Sequence, residues 1–224
     1  MRSDERGFTL IELLVACAII GILASITVPS YVARRVSANE TAIVATLRAV
    51  SQAQFQFRSQ NAVDTNRDAV SEYGSLGELS SVEPLRGQTA PLTQRLLSAS
   101  LGNLDPNGHA VLHGYRIAMY LPDATGVGVV ATMANRGLFD PARATTYYTC
   151  VAWPLSVNVT GSRTFFVNQQ GQMLKTVLPH YSGLGPMPPA GCALVGTPDP
   201  ASIESQGLAI NATGADGRSW TTVN

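Results

Sequence analysis

Hydrophobic and polar positions along this chain fall into three regimes. Residues 8–28 are apolar almost throughout, and Glu12 is the only charged side chain among them. At about 1.5 Å per residue, a helix of that length spans roughly 31 Å, enough to cross the hydrocarbon core of a bilayer. After Pro29 the pattern becomes one-sided: Val36, Ile43, Leu47, Val50 and Phe57 recur at helical spacing, with Arg34, Arg35, Glu40 and Arg48 between them. This is the period of an amphipathic helix. The pattern therefore predicts one helix from about residue 9 to about residue 59, apolar all round in its first half and striped in its second. The stripe reads as the seam on which a sheet packs, not as a cofactor-binding face.

The third regime is β-like. Residues 61–108 are polar and broken by Gly74, Gly77, Pro84, Gly87, Pro91 and Pro106, with short helices expected near 75–80 and 91–99. Tyr115, Ile117, Met119 and Leu121 then alternate with Arg116, Ala118 and Tyr120, which predicts a half-buried strand. Further strands are expected at 126–133 and 146–153. The segments 163–168 and 172–177 flank Gln169-Gln170-Gly171 and read as a hairpin. Beyond Pro179 the chain is irregular, and a poorly ordered tail is expected from Asp199 onward. One long helix followed by an antiparallel sheet of three to five strands is an α+β layout.

Composition narrows the class. A chain of 224 residues accommodates one anchor and one soluble domain of ordinary size. With 15 basic and 15 acidic side chains, nothing points to bulk electrostatic capture of nucleic acid or anionic lipid. A charged fraction of only 13%, with abundant Gly and Pro, fits an exported β-containing domain better than a cytosolic enzyme. The apolar run is too long for a cleaved secretory signal and is followed by Pro29-Ser30-Tyr31 and a helical pattern, so it reads as an anchor. A carboxylate within it costs about 2.5–3.5 kcal/mol on insertion scales, which demands a partner for Glu12. Arg2 and Arg6 on one side face Arg34 and Arg35 on the other, so the positive-inside rule leaves the orientation open.

The run Arg6-Gly7-Phe8-Thr9-Leu10-Ile11-Glu12-Leu13-Leu14, with Ala18-Ile19-Ile20-Gly21-Ile22-Leu23-Ala24 and Pro29-Ser30-Tyr31, closely resembles the N-terminus of type IV prepilins and type II secretion pseudopilins. The resemblance implies a pilin-like fold and a set of roles. Gly7 would precede the prepilin peptidase cut, and Phe8 would become the N-methylated first residue of the mature chain. Glu12 would pair with the N-terminal ammonium of a neighbouring subunit during assembly. Gly21 and Pro29 match positions where the family's helix bends or melts in the filament, and a mid-helix proline softens a helix on physical grounds too. The implied division is a leader over 1–7, a transmembrane and assembly half-helix over 8–28, an amphipathic half over 29–60 and a soluble head over 61–224. Within the head the αβ-loop covers 61–108, the sheet 109–178, and a C-terminal segment 179–224.

In an exported head, Cys150 and Cys192 are the pair for one disulfide tying the C-terminal segment to a central strand; two unpaired buried thiols are the alternative. A disulfide-bounded C-terminal region is also what the pilin resemblance implies. Cys17 lies in the apolar run and reads as a small hydrophobe. Asp64, Asn66, Asp68 and Glu72 follow positions 1, 3, 5 and 9 of a calcium loop. Ala69 and Ser75 stand where that pattern needs glycine and a bidentate glutamate, so a solvated turn competes with a Ca²⁺ site. His109, His113 and His180 have no neighbours that complete a metal set. No nucleophile elbow, phosphate loop or dinucleotide fingerprint occurs, and no other cofactor is expected.

The expected protein is therefore structural. The resemblance implies a subunit of a type IV pilus or pilus-like filament, made as a single-pass bacterial inner-membrane precursor with its head in the periplasm. Its partners would be other pilin subunits, the prepilin peptidase/methyltransferase, the inner-membrane platform of the assembly machine and membrane lipid. A type II secretion pseudopilin, or a minor pilin acting as an adhesin or DNA-uptake module, are the alternatives. The head shows no basic–aromatic run, so nucleic acid is not an expected partner.

Overall fold

The computed structural model describes residues 8–197, 199–205 and 207–223. Helix α1, Leu10–Ser59, is a single element of 50 residues, about 75 Å long at the standard rise. It starts one residue later than the pattern predicts because Thr9 is its N-cap, in extended geometry with its hydroxyl accepting from the Glu12 N–H. It ends where Gln60 and Asn61 turn back on the last carbonyls and Asn61 enters the left-handed region at φ 48°, a conformation asparagine tolerates. Pro29 lies inside the helix and cannot donate to the preceding turn. Thr27 and Ser30 on either side bond the carbonyls of Leu23 and Ile26, so their hydroxyls stay satisfied without water.

Only the second half of α1 meets the rest of the chain. Ile43, Leu47, Val50, Ala53, Gln54 and Phe57 are buried, which places the predicted seam correctly except for the half-exposed Val36. Gln54 is the polar member, and its amide bonds both backbone groups of Gly74, donating to the carbonyl at 2.7 Å and accepting from the N–H at 2.9 Å. A buried amide paired at both ends costs little and fixes the loop against the helix.

After α1 come α2 (Leu76–Leu79), α3 (Ala99–Gly102), β1 (Ala110–Leu112), β2 (Tyr115–Pro122), β3 (Gly128–Val130), a 3₁₀ turn (Met133–Leu138), α4 (Pro141–Ala144) and β4 (Thr149–Pro154). The chain closes with β5 (Phe165–Asn168), β6 (Met173–Thr176), β7 (Ala212–Thr213) and β8 (Ser219–Thr222). The sheet has eight strands rather than three to five, in the order β1-β2-β4-β5-β6-β8-β7, with β3 paired to the far half of β2. All pairings between these strands are antiparallel.

Two expectations fail for one reason. The tail beyond Asp199 was expected to be poorly ordered, yet it supplies β7 and β8, and Trp220 on β8 is fully buried. Likewise β2 is not half-buried: residues on both of its faces lie inside. The C-terminal segment covers the sheet face opposite α1, and Tyr181, Cys192, Leu194, Ile203 and Trp220 pack there on Ala118, Val151, Trp153 and Phe166. The domain thus has three layers: helix, sheet and an irregular C-terminal cover. Of the two short helices expected in the loop, α2 lies within 75–80, whereas the second forms at Ala99–Gly102, past the Pro91 segment.

The same layering separates the two head cysteines. Along β4, Cys150 and Ala152 point to the α1 layer, while Val151 and Trp153 point to the C-terminal layer. Cys192 belongs to the C-terminal layer, so the sheet stands between the sulfurs and both are free thiols. The expected disulfide is therefore absent. Burial pushes both thiols well above their ordinary titration range, which leaves them inert small hydrophobes.

Candidate assembly helix

No described residue outside α1 buries the first half of the helix. Its apolar stretch is 0% buried and is long and apolar enough to cross a membrane. Ile11, Leu14, Ile20, Leu23 and Ile26 are each more than half exposed. Such a surface contradicts water as its medium, because contiguous exposed apolar area this large marks a lipid or protein interface. Phe8 is 84% exposed at the start of this surface. Gly7, the residue assigned to precede the cut, and the rest of the 1–7 leader lie outside the described residues.

Glu12 is held by its own helix end. Its Oε2 accepts from the Thr9 N–H at 3.0 Å and from the Thr9 hydroxyl at 2.8 Å, while the Glu12 N–H donates to Thr9 Oγ1 at 3.3 Å. This is a capping box, which satisfies two otherwise unpaired donors of the first turn. The sequence pattern Thr-x-x-Glu carries this signal and was not read as such. Oε1 accepts no hydrogen bond from any described residue. Gly21 has open space where a side chain would start, so nothing within the chain requires glycine there. Pro29 and Gly21 both face outward with the rest of the half-helix.

The four calcium-pattern residues do not converge. Asp64 accepts from the backbone N–H groups of Asp68 (3.1 Å) and Ala69 (3.0 Å), and Asp68 accepts from Asn66 and from the Val70 N–H. Glu72 points inward instead, to the buried Arg86 at 3.0 Å and to the Thr65 N–H at 2.7 Å. Arg86 also bonds Glu78 at 3.1 Å and the Tyr73 carbonyl. No cluster of three or more His, Cys, Asp or Glu able to hold a metal occurs among the described residues. Arg86 is the residue that sequence reasoning missed: the buried guanidinium, not a cation from solution, organises this loop.

The histidines also have structural surroundings. His109 is buried edge-on to Trp153 at 5.0 Å, with Nδ1 3.9 Å from Asp105. His180 accepts at Nε2 from the Arg218 guanidinium at 2.7 Å on the surface. His113 sits at φ 51° in the turn between β1 and β2.

Comparison with known proteins agrees with this geometry. Residues 2–28 match the prokaryotic N-terminal methylation motif, and residues 28–182 match a family described as protein of unknown function (DUF2950). The chain is 36% identical over 97 residues to the type IV wide pilus major component PilA4 of Thermus thermophilus, covering 43% of this chain and 67% of that one. It is 39% identical over 70 residues to the type IV major pilin protein PilA of Myxococcus xanthus, covering 31% of each chain. It is 34% identical over 61 residues to the type II secretion system core protein G of Klebsiella michiganensis, covering 27% of this chain and 43% of that one. Less than half of the length of these last two relatives is therefore spanned. No solved structure matches the chain significantly. The chain belongs to the type IV prepilin and pseudopilin family, and its residues 28–182 belong to the family of unknown function DUF2950. Its α+β architecture, one long N-terminal helix on an antiparallel sheet, is that of a pilin.

Proposed function

We propose that this protein is a structural subunit of a type IV pilus or pilus-like filament, polymerised through the first half of α1. The observation that carries the reading is the wholly unburied apolar half-helix with a single carboxylate near its start. In lipid that helix is a membrane anchor; in a filament the same surface packs against equivalent helices, exchanging lipid contacts for helix–helix contacts. We assign cleavage after Gly7 by a prepilin peptidase, methylation of Phe8, and pairing of Glu12 Oε1 with the amine of a neighbouring Phe8. The head would then be exported to the periplasmic face of the inner membrane, and the assembly platform there would draw the subunit out of the bilayer. No catalytic role is assigned.

A pseudopilin of a type II secretion system is the second reading, supported by the likeness to the Klebsiella core protein G. Both readings share the test. Glu12→Gln keeps the capping hydrogen bond but removes the charge, and it is expected to abolish filaments while leaving the protein in the membrane. Intact-mass measurement of the parental protein should find a chain that begins at methylated Phe8. Filaments formed at the parental level by the Glu12→Gln chain would sink the assembly role of this helix start.

A further inference from the structure

Higher on α1, a groove of about 330 Å³ runs between the helix and the β5–β6 hairpin. Its floor includes Val44 and Phe165, and its walls carry Arg48 from α1, Arg163 from the approach to β5, and Lys175 from β6. The one carboxylate there, Glu40, is committed to the chain itself, accepting from the Ser162 N–H at 2.9 Å and the Arg163 N–H at 3.2 Å. Among the described residues, Arg48, Arg163 and Lys175 make no ion pair. Three cations against one carboxylate around an apolar floor leave the groove net positive, and it complements a segment that brings carboxylates beside an apolar side chain.

This chain carries such a segment at the other end of the same helix flank. Past Ser59, the turn at 64–68 presents Asp64 and Asp68, whose carboxylates cap backbone N–H groups and make no ion pair. Val70 follows and is 44% exposed. Arg67 between the two acids is exposed and sets one positive charge against two negative ones. The flank is continuous: Ser51, Phe55 and Arg58 extend the groove's α1 stripe past the β5–β6 turn to Ala69 and Val70. Groove and turn are separated along the helix by about 22 Å, taking Val44 to Ser59 at the standard rise. They lie at opposite ends of the head, so one copy cannot join them.

We propose that the basic groove receives the 64–68 turn of a second copy, giving a head-to-tail contact between heads displaced by about 22 Å or slightly more along α1. Such an interface uses two different surfaces, leaves one of each free at the ends, and so propagates into an open filament. The contact rests on the filament reading above and specifies which head surfaces meet.

The test uses filaments sheared from cells producing the full chain. Arg48→Cys together with Asp68→Cys is expected to give an oxidation-dependent ladder of dimers and larger species that neither single variant gives. Arg48→Glu with Lys175→Glu is expected to lower filament yield by about tenfold, as is Asp64→Lys with Asp68→Lys, and combining all four changes should restore most of it. Parental melting temperatures in each variant separate lost contact from lost folding. Parental filament levels in the charge-reversed variants, with no ladder, overturn the contact and leave the filament reading standing. A parental chain that enters no filament overturns both. If the groove variants assemble normally but lose binding to long-chain polyphosphate, the groove belongs to a polyanion and the contact is overturned.

Discussion

Replacing Arg86 with methionine is the sharpest probe of how the head is held together. Arg86 is 5% exposed, and its guanidinium lies between Glu72, at 1%, and Glu78, at 0%. It meets them at 3.0 Å and 3.1 Å. Arg136 is the next cation and stands 4.0 Å from Glu78 while mainly serving Glu83. Arg86→Met therefore leaves the buried Glu72 without a counter-ion and Glu78 with only the more distant Arg136, a change that costs about 3–5 kcal/mol. In a domain of this size each kcal/mol lowers the melting temperature by about 2–4 °C, so a fall of roughly 6–20 °C is expected. Glu72→Gln is the internal control: it keeps an acceptor toward Arg86 and leaves the Glu78 pair, and should cost about 1–3 kcal/mol. Urea unfolding of the detergent-solubilised chain, followed through the buried Trp153 and Trp220, reads both values away from the mutated loop. A cost below about 1 kcal/mol for Arg86→Met, or one no larger than that of Glu72→Gln, refutes the argument. Recovery of the Arg86→Met loss by added Ca²⁺ would show that a freed Glu72 can turn back to Asp64.

Two further outcomes follow from particular side chains. Trp220→Ala empties the space beside Phe166, whose ring lies 6.2 Å away, and is expected to cost about 3–5 kcal/mol and to expose the C-terminal cover to protease; unchanged stability would mean that the cover is not part of the core. Burial holds the His109 imidazole below its ordinary value, with Asp105 opposing and Arg116 adding to the effect. The unfolded chain thus takes up this proton first, so the stability is present above about pH 6.5 and is lost as pH falls toward the folded value. Asp105 is itself held low: burial would raise it, but hydrogen bonds from His109, Arg116 and Asn107 outweigh that, so its own contribution fades only below about pH 4. His109→Phe should flatten the profile between about pH 7.5 and pH 5.5, and a parental midpoint constant over that window rejects the assignment.

What the sequence made legible followed from short-range periodicity. Glu12 in its apolar run, the Ile43, Leu47, Val50 and Phe57 seam, and the β5–β6 hairpin around Gly171 each depend on neighbours within a turn or a strand. The failures needed contacts from far along the chain. A strand buried on both faces looks half-buried when its second cover lies beyond residue 180, and Trp220 could be placed only once β8 was seen to pair with β6. Cys150 and Cys192 fit a disulfide by spacing, but spacing carries no information about which face of β4 a side chain takes relative to a remote segment. The calcium pattern failed similarly, because Arg86, well past the loop, claims Glu72. The basic groove was equally hidden: Arg48, Arg163 and Lys175 are scattered in a neutral chain and become one surface only through the fold.

The cap on Glu12 also changes the energetic reading of the assembly step. A bare carboxylate in lipid would cost about 2.5–3.5 kcal/mol, and relief of that cost alone could drive a subunit into a filament. Here the Thr9 N–H and hydroxyl already bond Oε2, and hydrogen bonds to a charged group are worth about 1.5–3 kcal/mol each. The local box thus offsets much of the insertion penalty before any partner arrives, so the subunit is tolerable in the bilayer while it waits. An incoming ammonium can contribute only the remainder, through the oxygen that Thr9 leaves open. In the proposed pairing, Glu12 then selects register more than it supplies driving force. The bulk of the assembly energy must come from packing the exposed apolar half of α1, and the choice among neighbouring registers from contacts between heads.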